Sequence, residues 1–289
     1  MKLKLSGHET FYPREHWLLR GSRWIGKQNS EYPTDELGVG INMVKSIRYW
    51  VNAFGLDRDK EENLFGESEW MSHLFKHDPD LDKPATAFLL HYRLLAEENC
   101  PTTWKWFFSY SDLISFDKEN FMRSYKDWLR DTFPNQKYSE RTLENDFQVL
   151  TGMYADTNKT DLFYTSQFAD CNLIKYNSHT KRFLRVQNPH INIHILLLTL
   201  LQFKFRHFPE SSSIDLETCK HYDDFPLRVF RIDSDVLFEQ WNHIHRTIEK
   251  KIHFERTAGM KNLLFNKLSI SELMNEIYQT QSKESLVLF

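Results

Sequence analysis

The chain has 289 residues, 40% hydrophobic and 27% charged, with only 9 Gly and 9 Pro, a composition that excludes a disordered, collagen-like or low-complexity protein. Its formal net charge of -3 excludes a polycation, although an average of this kind hides how the charges are placed. The length predicts two or three compact units. Cys100, Cys171 and Cys219, without a CxxC pair, exclude a disulfide framework or zinc ribbon and fit a reducing cytoplasm.

In chain order, the amino terminus from Met1 to His8 has no apolar leader run. His8 and Glu9 stand near Arg14, where a buried hydrogen-bonded network and an acid/base pair are both open readings. From Thr34 to Gly55 the pattern predicts a short helix, a glycine turn at Gly38 and Gly40, and a second helix. Met43, Ile47, Trp50 and Phe54 form its core stripe, with Val44 and Val51 alongside. Its other face carries Asn42, Lys45, Ser46, Arg48, Tyr49 and Asn52. That is the composition of a helix-turn-helix element reading a major groove, and equally of an amphipathic helix with a solvated face. Between Asp57 and Asp82 acidic residues far outnumber basic ones. Within that stretch His73 and His77 lie at i, i+4 ahead of Asp78, Asp80 and Asp82, a spacing that fits either a divalent metal or, more cheaply, a charged helix end.

A helix is expected near Phe121–Arg130, broken at Pro134. Ser139 then serves as N-cap to a helix over Glu140–Tyr154 with Leu143, Phe147, Leu150 and Tyr154 buried. Asn172–Tyr176 and Arg182–Val186 read as two strands around a hairpin tip at Lys181. Helices followed by a hairpin is the order of a winged helix. The wing opens a block from Cys171 to Pro209 that lacks Asp and Glu but holds Lys175, Lys181, Arg182, Arg185, Lys204 and Arg206. Such a block suits phosphate contacts, or a solvated hairpin. Ile191–Phe205 is apolar nearly all round, which predicts a buried helix too short to span a bilayer. The rest of the chain to Phe289 reads as helical. No P-loop, GxGxxG, HExxH, nucleophile elbow or EF-hand loop is present, so no enzyme class is named by motif.

Several words, in order, resemble one family of bacterial proteins encoded beside DNA phosphorothioation and other phage-defence genes, the SspB-like proteins. They are Gly7-His8-Glu9-Thr10-Phe11 with Trp17-Leu18, Leu37-Gly38-Val39-Gly40, Asn42-Met43-Val44, Ser46-Ile47-Arg48-Tyr49-Trp50 and Leu64-Phe65-Gly66. Leu90-His91, Thr103-Trp104, Trp106-Phe107-Phe108, Thr142-Leu143 with Asp146, and Thr257-Ala258-Gly259 continue the series. The resemblance implies DNA binding and nicking with a divalent metal such as Mg2+. Its implied partners are a cysteine desulfurase, an ATPase and a sulfurtransferase-like enzyme that replace a backbone oxygen by sulfur. Two positions depart from the family pattern, Ile41 in place of Lys and Leu227 in place of Gly.

The sequence therefore predicts a mainly α, multi-domain protein with helix-turn-helix and winged-helix-like modules and a short β-hairpin wing. Its expected segments are 1–110, containing the helix-turn-helix at 34–55; 111–188, containing the wing at 172–186; and 189–289, helical. Asn42, Lys45, Ser46, Arg48, Tyr49, Lys175, Lys181, Arg182 and Arg185 are the expected DNA-facing residues. The expected partner is duplex DNA and not a membrane. Two roles stay open, a metal-dependent nicking endonuclease whose catalytic and metal-binding residues the sequence does not name, and a non-catalytic sequence-specific subunit that recruits modification enzymes.

Overall fold

A computed structural model describes residues 2–25, 32–57, 70–155, 165–241, 246–257 and 260–284. Leu64-Phe65-Gly66, the last two residues of Thr257-Ala258-Gly259 and much of the acidic stretch after Asp57 lie outside the described residues. The protein is mainly helical, with two small antiparallel sheets of three strands each. It divides into two compact units, Met1–Arg58 with Asp80–Val186, and Asp59–Pro79 with Gln187–Phe289. Of the three segments expected from the sequence, the first two lie mainly in the first unit and the third in the second. Among the described residues no helix is long and apolar enough to cross a membrane.

In the first unit, α1 (Trp17–Ile25), α2 (Pro33–Leu37) and α3 (Ile41–Ala53) pack on one another. Proline at the start of α2 presets its first turn, and Gly38 ends it in the left-handed region at φ 63. Gly21 lets α1 close on α3, since a Cβ there would sit 2.5 Å from the Ile47 side chain. Val44, Ile47, Trp50, Val51 and Phe54 are buried as the periodicity requires. The carbonyls that end α3 are satisfied from α5 (Pro84–Ala96), where Arg93 donates to Phe54 O at 2.7 Å and to Gly55 O at 2.9 Å. Helix α4 (Trp70–His77) belongs to the second unit.

The remainder of the first unit runs helix, strand, helix, helix, strand, strand: α6 (Thr102–Ser109), β1 (Ser115–Phe116), α7 (Lys118–Thr132), α8 (Glu140–Tyr154), β2 (Ile174–Asn177) and β3 (Arg182–Arg185). Strand β3 is central, pairing β1 through Phe116 opposite Phe183 and β2 through Tyr176 opposite Phe183. Asp117 caps α7 by accepting from Asn120 N at 2.9 Å, and Ser139 caps α8 by accepting from Thr142 N at 3.1 Å. An aromatic core joins these elements, with Trp106 stacked on Tyr125 and Phe116 on Phe183.

The second unit is built on α9 (Ile193–His207), buried along nearly its whole length as its all-round apolar sequence predicts. Then come β4 (Ser213–Asp215), the short helices α10 (Leu216–Cys219), α11 (Pro226–Val229), α12 (Ser234–Gln240) and α13 (Arg246–Glu249), strands β5 (Ile252–Thr257) and β6 (Met260–Phe265), and α14 (Ile270–Glu284). The expectation of helix throughout this segment is corrected by β4, β5 and β6. The signal was present in the alternation of buried Ile252 with exposed His253 and Glu255, which is a strand period. This sheet has order β4-β6-β5, matching the β1-β3-β2 order of the first. Both first strands enter a helix through the same local device: Ser115-Phe116-Asp117 and Ser213-Ile214-Asp215 each bury the middle residue and cap the next helix with the aspartate. Each aspartate also binds the start of its central strand, Asp117 through the Arg182 guanidinium and Asp215 through the Lys261 backbone N–H.

Candidate nucleic-acid interface

Six of the nine residues expected to face DNA fall on two surfaces of the first unit. On α3, Asn42, Lys45 and Arg48 are exposed along one side. Lys45 stands 4.0 Å from Glu9, a distance at which an exposed pair holds its charge loosely. The Arg48 guanidinium lies over the Trp24 ring at 5.0 Å, which orients it while leaving it accessible. On the β2–β3 hairpin, Lys175 and Lys181 are exposed. Lys181 sits at the tip with φ 54, after a turn in which Asn177 Oδ1 accepts from His179 N and Thr180 N. Arg182 is half-buried and committed to neighbours: it donates to Ser115 Oγ, Ser115 O, Asn120 Oδ1 and Asp117 Oδ2. It thereby staples the hairpin to β1 and to the cap of α7.

The other three residues face inward. Ser46 is buried and donates to Phe11 O at 3.3 Å. Tyr49 packs edge-on against His8 and Trp50, and burial, reinforced by the Asp146 charge, raises its phenol well above the ordinary range. Arg185 is buried, with its guanidinium donating to Phe107 O at 2.6 Å, Phe108 O at 2.8 Å and Ser111 O at 3.1 Å. These carbonyls lie at the end of α6 or just past it, where no intrahelical donor reaches them, so the Arg185 guanidinium caps the carboxyl-terminal end of that helix. A basic letter in an acid-free block gave no hint of that use, because sequence order does not show which arginine the strand pleat turns inward.

The amino-terminal histidine resolves into a buried network. His8 Nδ1 accepts from Thr10 N at 3.2 Å, so the neutral ring carries its proton on Nε2 and donates it to Asp146 Oδ1 at 2.8 Å. Asp146 Oδ2 accepts from Thr103 Oγ1 at 2.6 Å, and Ser6 N reaches Oδ1 at 3.2 Å. The His8 ring stacks on Trp50, whose indole N–H donates to Phe11 O at 2.9 Å. Of the two readings left open by the sequence, the network is the one present, and its carboxylate comes from α8 and not from Glu9. His8, Trp50, Thr103 and Asp146 are thus parts of one interior assembly, and with the bonds to Ser6, Thr10 and Phe11 it pins the first residues to α3, α6 and α8.

Sequence reasoning passed over the outer face of α8. Arg141, Asn145 and Gln148, at i, i+4 and i+7, form a stripe that is exposed or half-exposed opposite buried Leu143, Phe147 and Leu150. The acidic residues beside the stripe are matched within the unit: Glu144 receives Lys118 at 2.7 Å and Glu140 receives Lys126 at 2.5 Å, the latter pair holding the Glu140 carboxyl below its usual range.

Among the described residues no three His, Cys, Asp or Glu side chains gather into a set that could hold a metal ion. His77 instead stacks on Tyr278, and Asp78 is buried. Cys100, Cys171 and Cys219 are buried and form no disulfide with one another. Desolvation pushes the Cys219 thiol up to about 12 and Cys171 higher still, which keeps both protonated and unreactive.

Fold and surface together define a mainly helical protein carrying two small sheets of one strand order and a basic hairpin. More particularly, over residues 5–279 the chain matches the family described as protein of unknown function (DUF4007), and it belongs to that family. Among solved structures it is similar to "SspB crystal structure", with a TM-score of 0.78 at 21% identity, covering 96% of this chain and 87% of that one. "Magnesium ion-bound SspB crystal structure" is similar to the same extent, with a TM-score of 0.78 at 20% identity and the same coverage. No curated protein matches the chain.

Proposed function

We propose that this protein binds duplex DNA as a component of a phosphorothioate-modification system, and that β1, α7, α8 and the β2–β3 hairpin form a winged helix. The observation that carries the reading is the strand order β1-β3-β2 around two helices, with an exposed Lys175/Lys181 hairpin free of acidic residues. A winged helix places its second helix in the major groove and its wing on the phosphates. The exposed side of α3, with Asn42, Lys45 and Arg48, adds a second polar and basic face suited to backbone contacts. The phosphorothioation role is supported by the similarity to SspB structures and by the sequence resemblance. On that reading the partners are the sulfur-inserting enzymes of the system, which this protein positions on their sites, and the working compartment is the cytoplasm.

A second reading, magnesium-dependent nicking, is favoured by one observation, that a similar solved structure is a magnesium-bound SspB. Mg2+ keeps several waters and often needs only one or two carboxylates, fewer than a gathered set of three. One gel separates the readings. The purified protein is incubated with supercoiled plasmid across a salt series, with Mg2+ or with chelator. Salt-sensitive retardation without open circles supports the recruiting subunit, open circles that chelator abolishes support the nickase, and no retardation at any salt rejects both.

A further inference from the structure

We infer that the α8 stripe of Arg141, Asn145 and Gln148 reads bases, while α3 and the hairpin hold the backbone. This deepens the duplex-binding reading above and rests on it. Three features of the fold lead to the assignment. First, α8 is the second helix of the strand–helix–helix–hairpin unit, the position that enters the major groove when such a unit docks. Second, the stripe consists of the side chains that make bidentate contacts with base edges: arginine with guanine, and asparagine or glutamine with adenine. Spaced at i, i+4 and i+7, they follow one line along the helix for about 10 Å at 1.5 Å per residue, roughly three base-pair steps.

Third, the flanks of α8 are already occupied inside the unit. Its inner side carries Asp146 in the His8 and Thr103 network, and its acidic outer positions are neutralised by Lys118 and Lys126. What remains to face a ligand is a polar stripe with one formal positive charge, enough for hydrogen-bond discrimination and too little to dominate affinity. On α3, Arg48 is laid against the Trp24 ring, an arrangement that suits a phosphate better than a base edge buried in a groove. Discrimination and affinity therefore sit on different elements and separate under mutation.

The test uses the full-length protein and a pool of duplexes with a randomised central segment, selected by retention and sequenced. The wild-type protein should enrich a short motif. Arg141→Ala, Asn145→Ala and Gln148→Ala should each relax one position of it, by ~10-fold or more, and keep affinity for unselected duplex within about twofold. Asn42→Ala with Arg48→Ala should do the opposite, lowering retention of every sequence and leaving the motif intact. Because all five side chains lie at the surface, circular dichroism melting should show each variant folded. The inference fails if the α8 variants enrich the wild-type motif unchanged, if the α3 variants are the ones that lose it, or if the wild-type retains duplex without enriching any motif. If the wild-type retains no duplex at all, the duplex-binding reading itself fails and takes this one with it.

Discussion

The two three-stranded sheets share a strand order, a Ser-X-Asp entry into a helix and a hairpin, and each pairs part of its basic set, yet their hairpin lysines differ. In the first, Lys175 and Lys181 stand clear of the fold at the hairpin. In the second, Lys261 donates to Ser234 Oγ at 2.7 Å and Asp235 Oδ1 at 2.8 Å, and Arg256 lies 3.8 Å from the same aspartate. Aromatic contact replaces open charge there, with Phe254 packed on Phe238 and Trp241. One topology thus carries two surfaces. Whether a cation is available to a phosphate depends on the carboxylates that the neighbouring short helices supply, which strand order does not fix.

The sharpest break of the first sheet comes from the arginine it buries. Arg185→Ala leaves three carbonyls at the end of α6 without their donor and removes packing against Phe107 and Phe108. The expected loss is about 3 kcal/mol or more, as for leaving several buried carbonyl oxygens without a donor. Urea denaturation should show it as a lower midpoint at unchanged slope. A loss under 1 kcal/mol accompanied by weaker DNA binding would return Arg185 to the surface set.

A smaller effect gives the first unit a pH dependence. His91 on α5 is fully buried, shares a hydrogen bond with Tyr154 at 2.8 Å, and has its pKa lowered to about 3, by burial first and by the Arg185 charge second. Between the unfolded value near 6.5 and the folded value near 3 the unfolded state binds the extra proton, so stability falls as pH falls through that window. The limiting slope is about 1.4 kcal/mol per pH unit. Thermal melting at pH 7, 6, 5 and 4 should trace it, and His91→Gln should flatten it; an identical pH dependence in wild type and variant would show that other groups control the acid response.

Much of this was legible from the letters and some was not, for physical reasons. Helix α8 begins after Ser139 and ends at Tyr154 as the cap and the Leu143, Phe147, Leu150 stripe predict, and α9 is buried as its unbroken apolar run requires. Both signals are local and long. Strand β1 has two residues, too few for any period, and is defined only by pairing with β3 nearly seventy residues later. The interior network was hidden in the same way: nothing adjacent to His8 announces that its partner is Asp146. Conversely, Arg182, Arg185 and Ser46 looked like surface chemistry because a polar letter does not show whether its bonds go to water or to distant carbonyls and carboxylates.

The finest test of the contrast between the sheets compares one lysine from each hairpin. Lys181 is exposed at the tip of the first, and a lysine that neutralises one phosphate releases about one condensed counterion. Lys181→Ala should therefore weaken binding to every duplex alike and reduce the slope of log K against log salt by roughly 0.9. Lys261 is the control with the same charge. Its ammonium is mostly buried between Ser234, Asp235 and Glu217, so Lys261→Ala should leave the salt slope unchanged and cost at most about 1 kcal/mol of stability, since Asp235 is itself more than half exposed. If both substitutions flatten the slope equally, then Lys261 leaves its carboxylates when DNA arrives. The two hairpins would then contact the duplex together, and the pairing that sets them apart would be a property of the free protein alone.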